Sequence, residues 1–378
     1  MPALLNTVDP DGLLEFSVVF TDRSLNHMSA KFQQVMRDIS SGLREVYNAD
    51  GVAVVPGGGT FAMEAVARQF ATGQTCLIVR NGWFSFRWTQ ILEAGDIAAG
   101  STVMRARQTG NLPTAAFAPA PIEEVVARIH AEKPALIFAP HVETSSGIIL
   151  PDAYITALAE AAHAVGALMV LDCIASGCVW VDMKQTGVDV LISAPQKGWS
   201  STPCAGLVML SDRALAQLET TTSSSFAADL KKWQTIMAAY EGGGHAYHAT
   251  MPTDGLLAFR DTMTESRDYG LDKLRDAQRD LGTKVRAALA ARGIRSVAAD
   301  GYGAPGVVVS YTNDPGIQNG SKFGASGVQI AAGVPLQVGE PDGFSTFRLG
   351  LFGLDKLYDV DATVARLEAA LDQALSTS

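Results

Sequence analysis

The chain has 378 residues, 47% hydrophobic and 18% charged, without a biased tract. At about 150 residues per domain this suggests two or three domains with a buried core, and excludes extended disorder. Lysine and arginine number 29 against 39 aspartates and glutamates, a formal net charge of -10, and no basic run offers itself to a phosphate backbone, so nucleic acid is not an expected partner. The most apolar stretch, 165–181, is broken by Asp172, so no membrane helix is expected. Residues 1–16 lack a basic-then-apolar leader and residues 375–378 carry no retention or lipidation signal, which makes a cytoplasmic protein the default expectation.

In chain order, Phe32, Met36, Ile39, Leu43 and Val46 recur at spacings of three and four, one apolar face of a helix. Short apolar runs at 52–55, 75–79, 135–139, 167–171, 188–192 and 206–210 then alternate with helical segments. That pattern predicts an α/β fold, a doubly wound and mostly parallel sheet covered on both faces, with its ligand site beyond the carboxyl ends of the strands. After Gly-rich 241–244, a long polar helical pattern runs from Leu256 towards Arg292, followed by strand-like 306–311 and 346–351 and a helix near 359–375. This reads as a smaller C-terminal α+β domain. The expected organisation is an N-terminal arm (1–25), a large domain (26–250) and a small domain (251–378). Cys76, Cys173, Cys178 and Cys204 have no disulfide or zinc spacing and read as buried thiols. His245 and His248 lack a nearby third metal ligand, so no metal is expected.

Three signals carry chemistry. Pro56-Gly57-Gly58-Gly59-Thr60 lies between a strand and a helical pattern, where exposed amides at a helix N-terminus suit an anion. The same loop satisfies the loose dinucleotide fingerprint Gly57-x-Gly59-x-x-Ala62, but the next strand ends in Arg80-Asn81-Gly82 rather than in a ribose-binding acid; a tight turn without ligand is the plain alternative. Asp172 ends the run 167–171 at the ligand edge, where a buried carboxylate needs a cationic partner. Lys197, in Ser193-Ala194-Pro195-Gln196-Lys197-Gly198, follows the next strand, where desolvation can make its amine nucleophilic. Singly, Asp172 could be a helix cap and Lys197 a solvated charge. Together, a phosphate loop, a carboxylate and an amine at one sheet edge match the three polar handles of pyridoxal 5'-phosphate. The 25 residues between Asp172 and Lys197 fit adjacent strand ends joined by one crossover.

On these residues, with Glu64, Asn81-Gly82-Trp83-Phe84, Arg87-Trp88, His141-Val142-Glu143-Thr144-Ser145-Ser146-Gly147, Asp172 to Ser176 and Phe347-Arg348-Leu349-Gly350, the chain resembles the class V, fold type I pyridoxal-phosphate aminotransferases of the alanine-glyoxylate and serine-pyruvate group. The resemblance implies that Lys197 is the Schiff-base lysine and proton carrier, and that Asp172 pairs with the ring nitrogen. Phe84 and Ile174 would flank the ring, although core packing would satisfy both. Gly58, Gly59, Thr60 and Gln196 would hold the phosphate, and Thr144 would hydrogen-bond near the ring. It further implies a homodimer in which Tyr247 and Thr250 reach the neighbouring subunit's phosphate, and a substrate carboxylate on Arg348; an internal ion pair of Arg348 with Glu340 is the alternative. The implied reaction moves an amino group from a small amino acid to a 2-oxo acid, such as glyoxylate or pyruvate, with ping-pong kinetics. A lyase or desulfurase-like class V enzyme is the nearest alternative, yet Gln196 rather than histidine precedes Lys197 and all four cysteines precede Gly206. A dinucleotide-dependent oxidoreductase would leave Lys197 and Asp172 idle. The segment from Asn6 through Gly12 to Arg23 departs from the group's Gly-Pro entry segment.

Overall fold

The computed structural model describes residues 8–376; Asn6, Thr7 and the rest of residues 1–7 of the N-terminal arm, and residues 377–378, lie outside the described residues. Helix α1 (Ala30–Tyr47) is capped by Ser29, whose side chain accepts the Phe32 amide, and buries Phe32, Val35, Met36, Ile39 and Leu43. It leads into strand β1 (Gly51–Pro56), which is followed by β2 (Thr75–Arg80), β3 (Gly100–Arg105), β4 (Leu136–Pro140), β5 (Leu168–Asp172), β6 (Val190–Ser193) and β7 (Ala205–Leu210). These form one seven-stranded sheet in the order β1-β7-β6-β5-β4-β2-β3. Strands β6, β5, β4, β2 and β3 pair in parallel, while β7 runs antiparallel to both β1 and β6. Every residue of β4, β5, β6 and β7 is buried, as strands covered by helices on both faces must be.

The expected doubly wound sheet is therefore present, with one strand added. Strand β3 has mostly exposed or half-buried residues, because an edge strand needs no continuous apolar run, and so it leaves little hydrophobic signal. The position of β1 also bears on the dinucleotide reading. It is an edge strand paired only with an antiparallel neighbour, whereas the dinucleotide fingerprint belongs to a parallel βαβ unit; β2, which follows the loop, lies at the other side of the sheet.

The pattern expected from Leu256 to Arg292 is two helices, α7 (Thr253–Tyr269) and α8 (Leu271–Ala291), once α2 (Gly59–Phe70), α3 (Trp83–Ala94), α4 (Ile122–Glu132), α5 (Asp152–Ala164) and α6 (Leu230–Glu241) are counted. The break is Gly270, at φ 111°. Leu256, Phe259 and Met263 of α7 sit in the large core with α1, whereas Leu274, Leu281 and Val285 of α8 sit in a second core with Phe347 and Leu349. Packing thus changes partner at Gly270 rather than directly after Thr250. The small sheet has β8 (Val307–Tyr311), β9 (Ala331–Ala332) and β10 (Thr346–Gly350) in the order β8-β10-β9, all antiparallel, and α9 (Val360–Ser376) packs against α8.

Parallel strands β5 and β6 are neighbours in register, Ile192 opposite Asp172, so the loops that leave them emerge side by side. The two loops touch at Gly198: a Cβ there would lie 2.1 Å from the Gly177 carbonyl oxygen. Gly198→Ala should therefore lower stability by about 1–3 kcal/mol, measured as a shift in the urea midpoint at unchanged slope; a wild-type midpoint would contradict the close approach.

Candidate active site

A cavity of about 430 Å³ lies between the carboxyl edge of the large sheet and strand β10, and its wall includes Gly59, Thr60, Phe84, Thr144, Asp172, Ile174, Gln196, Lys197 and Arg348. Nine of the residues singled out in the sequence thus share one space. Gly58, the N-cap of α2 next to Gly59, is not part of that wall. Tyr247 and Thr250 stand elsewhere, exposed and bonded to each other at 3.1 Å.

Each wall has a local cause. Gly57 turns the chain out of β1 at φ 117°, a conformation that suits glycine, and the first residues of α2, Gly59 and Thr60, then line the cavity. Helix N-termini carry partial positive charge. Arg87 strengthens it: its guanidinium donates to the Thr60 hydroxyl at 3.0 Å and stands 4.7 Å from the Phe84 ring centre. Arg87 was not among the expected site residues, though it is one helical turn from Phe84 and therefore on the same face. Phe352 was also missed; its ring centre is 5.2 Å from Lys197 Nζ. Alternation along β10 from Arg348 through Gly350 points to it.

Phe84 is held by the buried carboxylate of Glu143. One oxygen accepts the Phe84 amide at 3.1 Å, and the other accepts the Ser85 amide at 2.8 Å and hydroxyl at 2.6 Å. Ser145 accepts the Trp83 amide at 2.8 Å and donates to Glu143 at 2.7 Å. Glu143 and Ser145 therefore fix the first turn of α3 and, with it, the aromatic wall.

Asp172 is 7% exposed and accepts one backbone amide, from Ile174 at 2.9 Å. Burial raises its pKa to about 7, against the opposing effect of that amide. Ile174 in turn meets Gly59, where a Cβ would approach its Cδ1 to 2.3 Å. Burial also lowers the Lys197 pKa, and the charges of Arg348 and Arg87 lower it further, which favours the neutral, nucleophilic amine. Arg348 donates through Nε to the Ala332 carbonyl at 2.8 Å and makes no ion pair among the described residues. The alternative pairing with Glu340 does not occur, because that carboxylate accepts the amides of Leu336, Gln337, Val338 and Gly339. The Arg348 fork is thereby left to the cavity.

The arrangement fits pyridoxal 5'-phosphate on its own observations: a helix N-terminus with an arginine for a phosphate, a buried acid lacking an ion-pair partner among the described residues, and a half-buried amine whose pKa is lowered by its surroundings. The Gln196 side-chain oxygen is buried without a partner beside them. The class V aminotransferase family model matches residues 15–310. The chain belongs to the class V aminotransferase family. Members of this family depend on pyridoxal phosphate. The rat protein named alanine-glyoxylate aminotransferase is 28% identical over 256 residues, which are 66% of this chain and 58% of the rat protein, so the match spans less than two thirds of that relative. The Synechococcus protein named soluble hydrogenase, small subunit, is 27% identical over 354 residues, 92% of this chain and 87% of its own length. In fold, the structure of an alanine-glyoxylate aminotransferase from Nostoc superposes with a TM-score of 0.78 at 23% identity, covering 93% of this chain and 89% of that one.

The raised Asp172 pKa has a defined sign. In the cofactor-free protein its protonated form is favoured by folding, so the stability it allows is fully present below the ordinary aspartate pKa, near 4, and is lost as pH rises through about 7. Asp172→Asn should accordingly stabilise the cofactor-free protein at pH 8 by on the order of 3 kcal/mol, and by much less at pH 5. Equal melting temperatures of variant and parent across that range would contradict the assigned burial.

Proposed function

We propose that this chain is a transaminase that moves an amino group from a small amino acid to a 2-oxo acid such as glyoxylate or pyruvate in two ping-pong halves. The observation that carries the reading is the common cavity of Lys197, Asp172 and the free fork of Arg348, and the names of the relatives favour glyoxylate as acceptor. Bound there, pyridoxal phosphate supplies an aldehyde for exchange between amines and a ring that withdraws electrons from the substrate Cα. Arg348 holds the substrate carboxylate through two parallel hydrogen bonds and so fixes which substrate bond faces Lys197. Lys197 Nζ, half-buried and with its pKa lowered by burial and by the charges of Arg348 and Arg87, takes the proton from Cα and returns it. Asp172 holds a proton at the ring nitrogen, where a cation relieves the cost of its own burial. The amides of Gly58, Gly59 and Thr60 with Arg87 and Gln196 hold the phosphate, Phe84 and Ile174 flank the ring, and Thr144 donates near it.

The desulfurase-like alternative lacks its thiol: Cys76, Cys173, Cys178 and Cys204 are all buried, and burial raises the pKa of each. The protein works as a homodimer in the cytoplasm, with Tyr247 and Thr250 of each subunit directed to the phosphate of the other. Their exposure, and their absence from the wall of their own chain's cavity, support that direction.

A panel of amino donors against glyoxylate, pyruvate and 2-oxoglutarate should give turnover with alanine or serine and parallel double-reciprocal plots; absence of turnover with every pair sinks the reading. Arg348→Ala should lower kcat/KM for donor and acceptor by about 100-fold while cofactor affinity stays unchanged. Mixing Lys197→Ala subunits with Tyr247→Phe/Thr250→Ala subunits should restore activity that neither parent has, through hybrid dimers with one intact site. A mixture no more active than its parents would show that the sites are not shared.

A further inference from the structure

A second cavity, of about 590 Å³, opens where the ends of β2 and β3 meet the segment 333–346 of the small domain. The last residues of those strands, Arg80 and Arg105, are register partners, and in parallel strands register partners project to the same face. Arg80 is 5% exposed. It donates to the Gln337 carbonyl at 3.1 Å and to the Thr89 hydroxyl at 2.7 Å, and it lies 4.6 Å from the Phe86 ring centre. Its Nε is buried without a partner. Neither arginine makes an ion pair among the described residues, although two like charges side by side are unfavourable.

The acids at this cavity do not settle that charge. Glu340 is occupied by four amides of its own loop, and Asp342 is an exposed residue of the rim. Another polar group waits in the wall: the Thr346 hydroxyl, 1% exposed, has no partner. Gln337, whose carbonyl Arg80 holds, sits at φ 63°, a conformation that non-glycine residues rarely adopt. A buried guanidinium with an unpartnered Nε and no ion pair among the described residues, opposed by Arg105 and only partly offset by the charge of Glu93, is costly, and a ligand oxoanion is the partner whose forked geometry would match it.

We propose that the Arg80–Arg105 cavity is a second oxoanion-binding site, taking a carboxylate or phosphate group between the large sheet and the small domain. Thr346 of this cavity and Arg348 of the first lie on one face of β10, about 7 Å apart along the strand. The anion is therefore either the distal acid group of a substrate held at Arg348 or a separate small ion that fixes the segment carrying Ala332, the acceptor of Arg348 Nε.

The test is thermal melting and calorimetry of the cofactor-loaded protein with inorganic phosphate and with succinate, at ionic strength held constant with chloride. Saturable binding should appear beyond the chloride control, weakened about tenfold or more in Arg105→Gln. Arg105 is exposed, so this variant should fold where Arg80→Gln fails to. Succinate binding weakened by both Arg105→Gln and Arg348→Gln supports the substrate source; phosphate binding weakened by Arg105→Gln alone supports the separate ion. Absence of binding beyond chloride, or binding of both anions untouched by Arg105→Gln, overturns the proposal. None of these readouts needs turnover, so their failure leaves the transaminase reading standing.

Discussion

A carboxylate placed in the interior at the end of a buried parallel strand constrains everything around the site. Asp172 can hold its charge there only if something cationic faces it, yet the protein offers it a single amide at 2.9 Å. The three cations of the same cavity, Lys197, Arg348 and Arg87, are divided among other tasks. Arg87 is bonded to Thr60 at the neck of α2, Arg348 is anchored to the Ala332 carbonyl, and burial together with those two arginines lowers the Lys197 pKa. The surroundings are polarised but incomplete, which is what the proposed cofactor site requires.

The fold supplies this arrangement through register and close approach rather than through a dense network of side-chain bonds. Strand β5 ends opposite Ile192 of β6, and Gly198 lets the lysine loop rest on the backbone of the loop after Asp172. Glu143 is the other organiser. Its carboxylate is consumed by the amides of Phe84 and Ser85 and by the hydroxyls of Ser85 and Ser145, so a second acid close to the reaction space acts as a helix cap that positions an aromatic ring.

Much of this was legible in the sequence because buried strands advertise themselves as apolar runs and the chemistry sits at, or within a few residues of, their carboxyl ends. Asp172, Lys197 and the loop 56–60 follow directly from that rule. Strand β3 did not announce itself, since an edge strand that begins Gly100-Ser101-Thr102 and buries only Met104 has no apolar run to read. The split between α7 and α8 was hidden because Gly270 is one glycine within two polar helical patterns that continue in similar phase. Arg87 and Phe352 enter the cavity by virtue of position on a helix and a strand already identified, so their roles required the neighbouring elements to be placed first. Tyr247 and Thr250 can be assigned from one chain only as an exposed hydrogen-bonded pair.

The central claim is that the amine of Lys197 carries the cofactor opposite Asp172. Borohydride reduction of the yellow protein, followed by peptide mass mapping, should place the added pyridoxyl phosphate mass on the peptide containing Lys197 and nowhere else, with loss of the visible absorbance band. A pyridoxyl mass on any other lysine, or a purified protein reconstituted with pyridoxal phosphate that acquires neither the band nor the adduct, would contradict it.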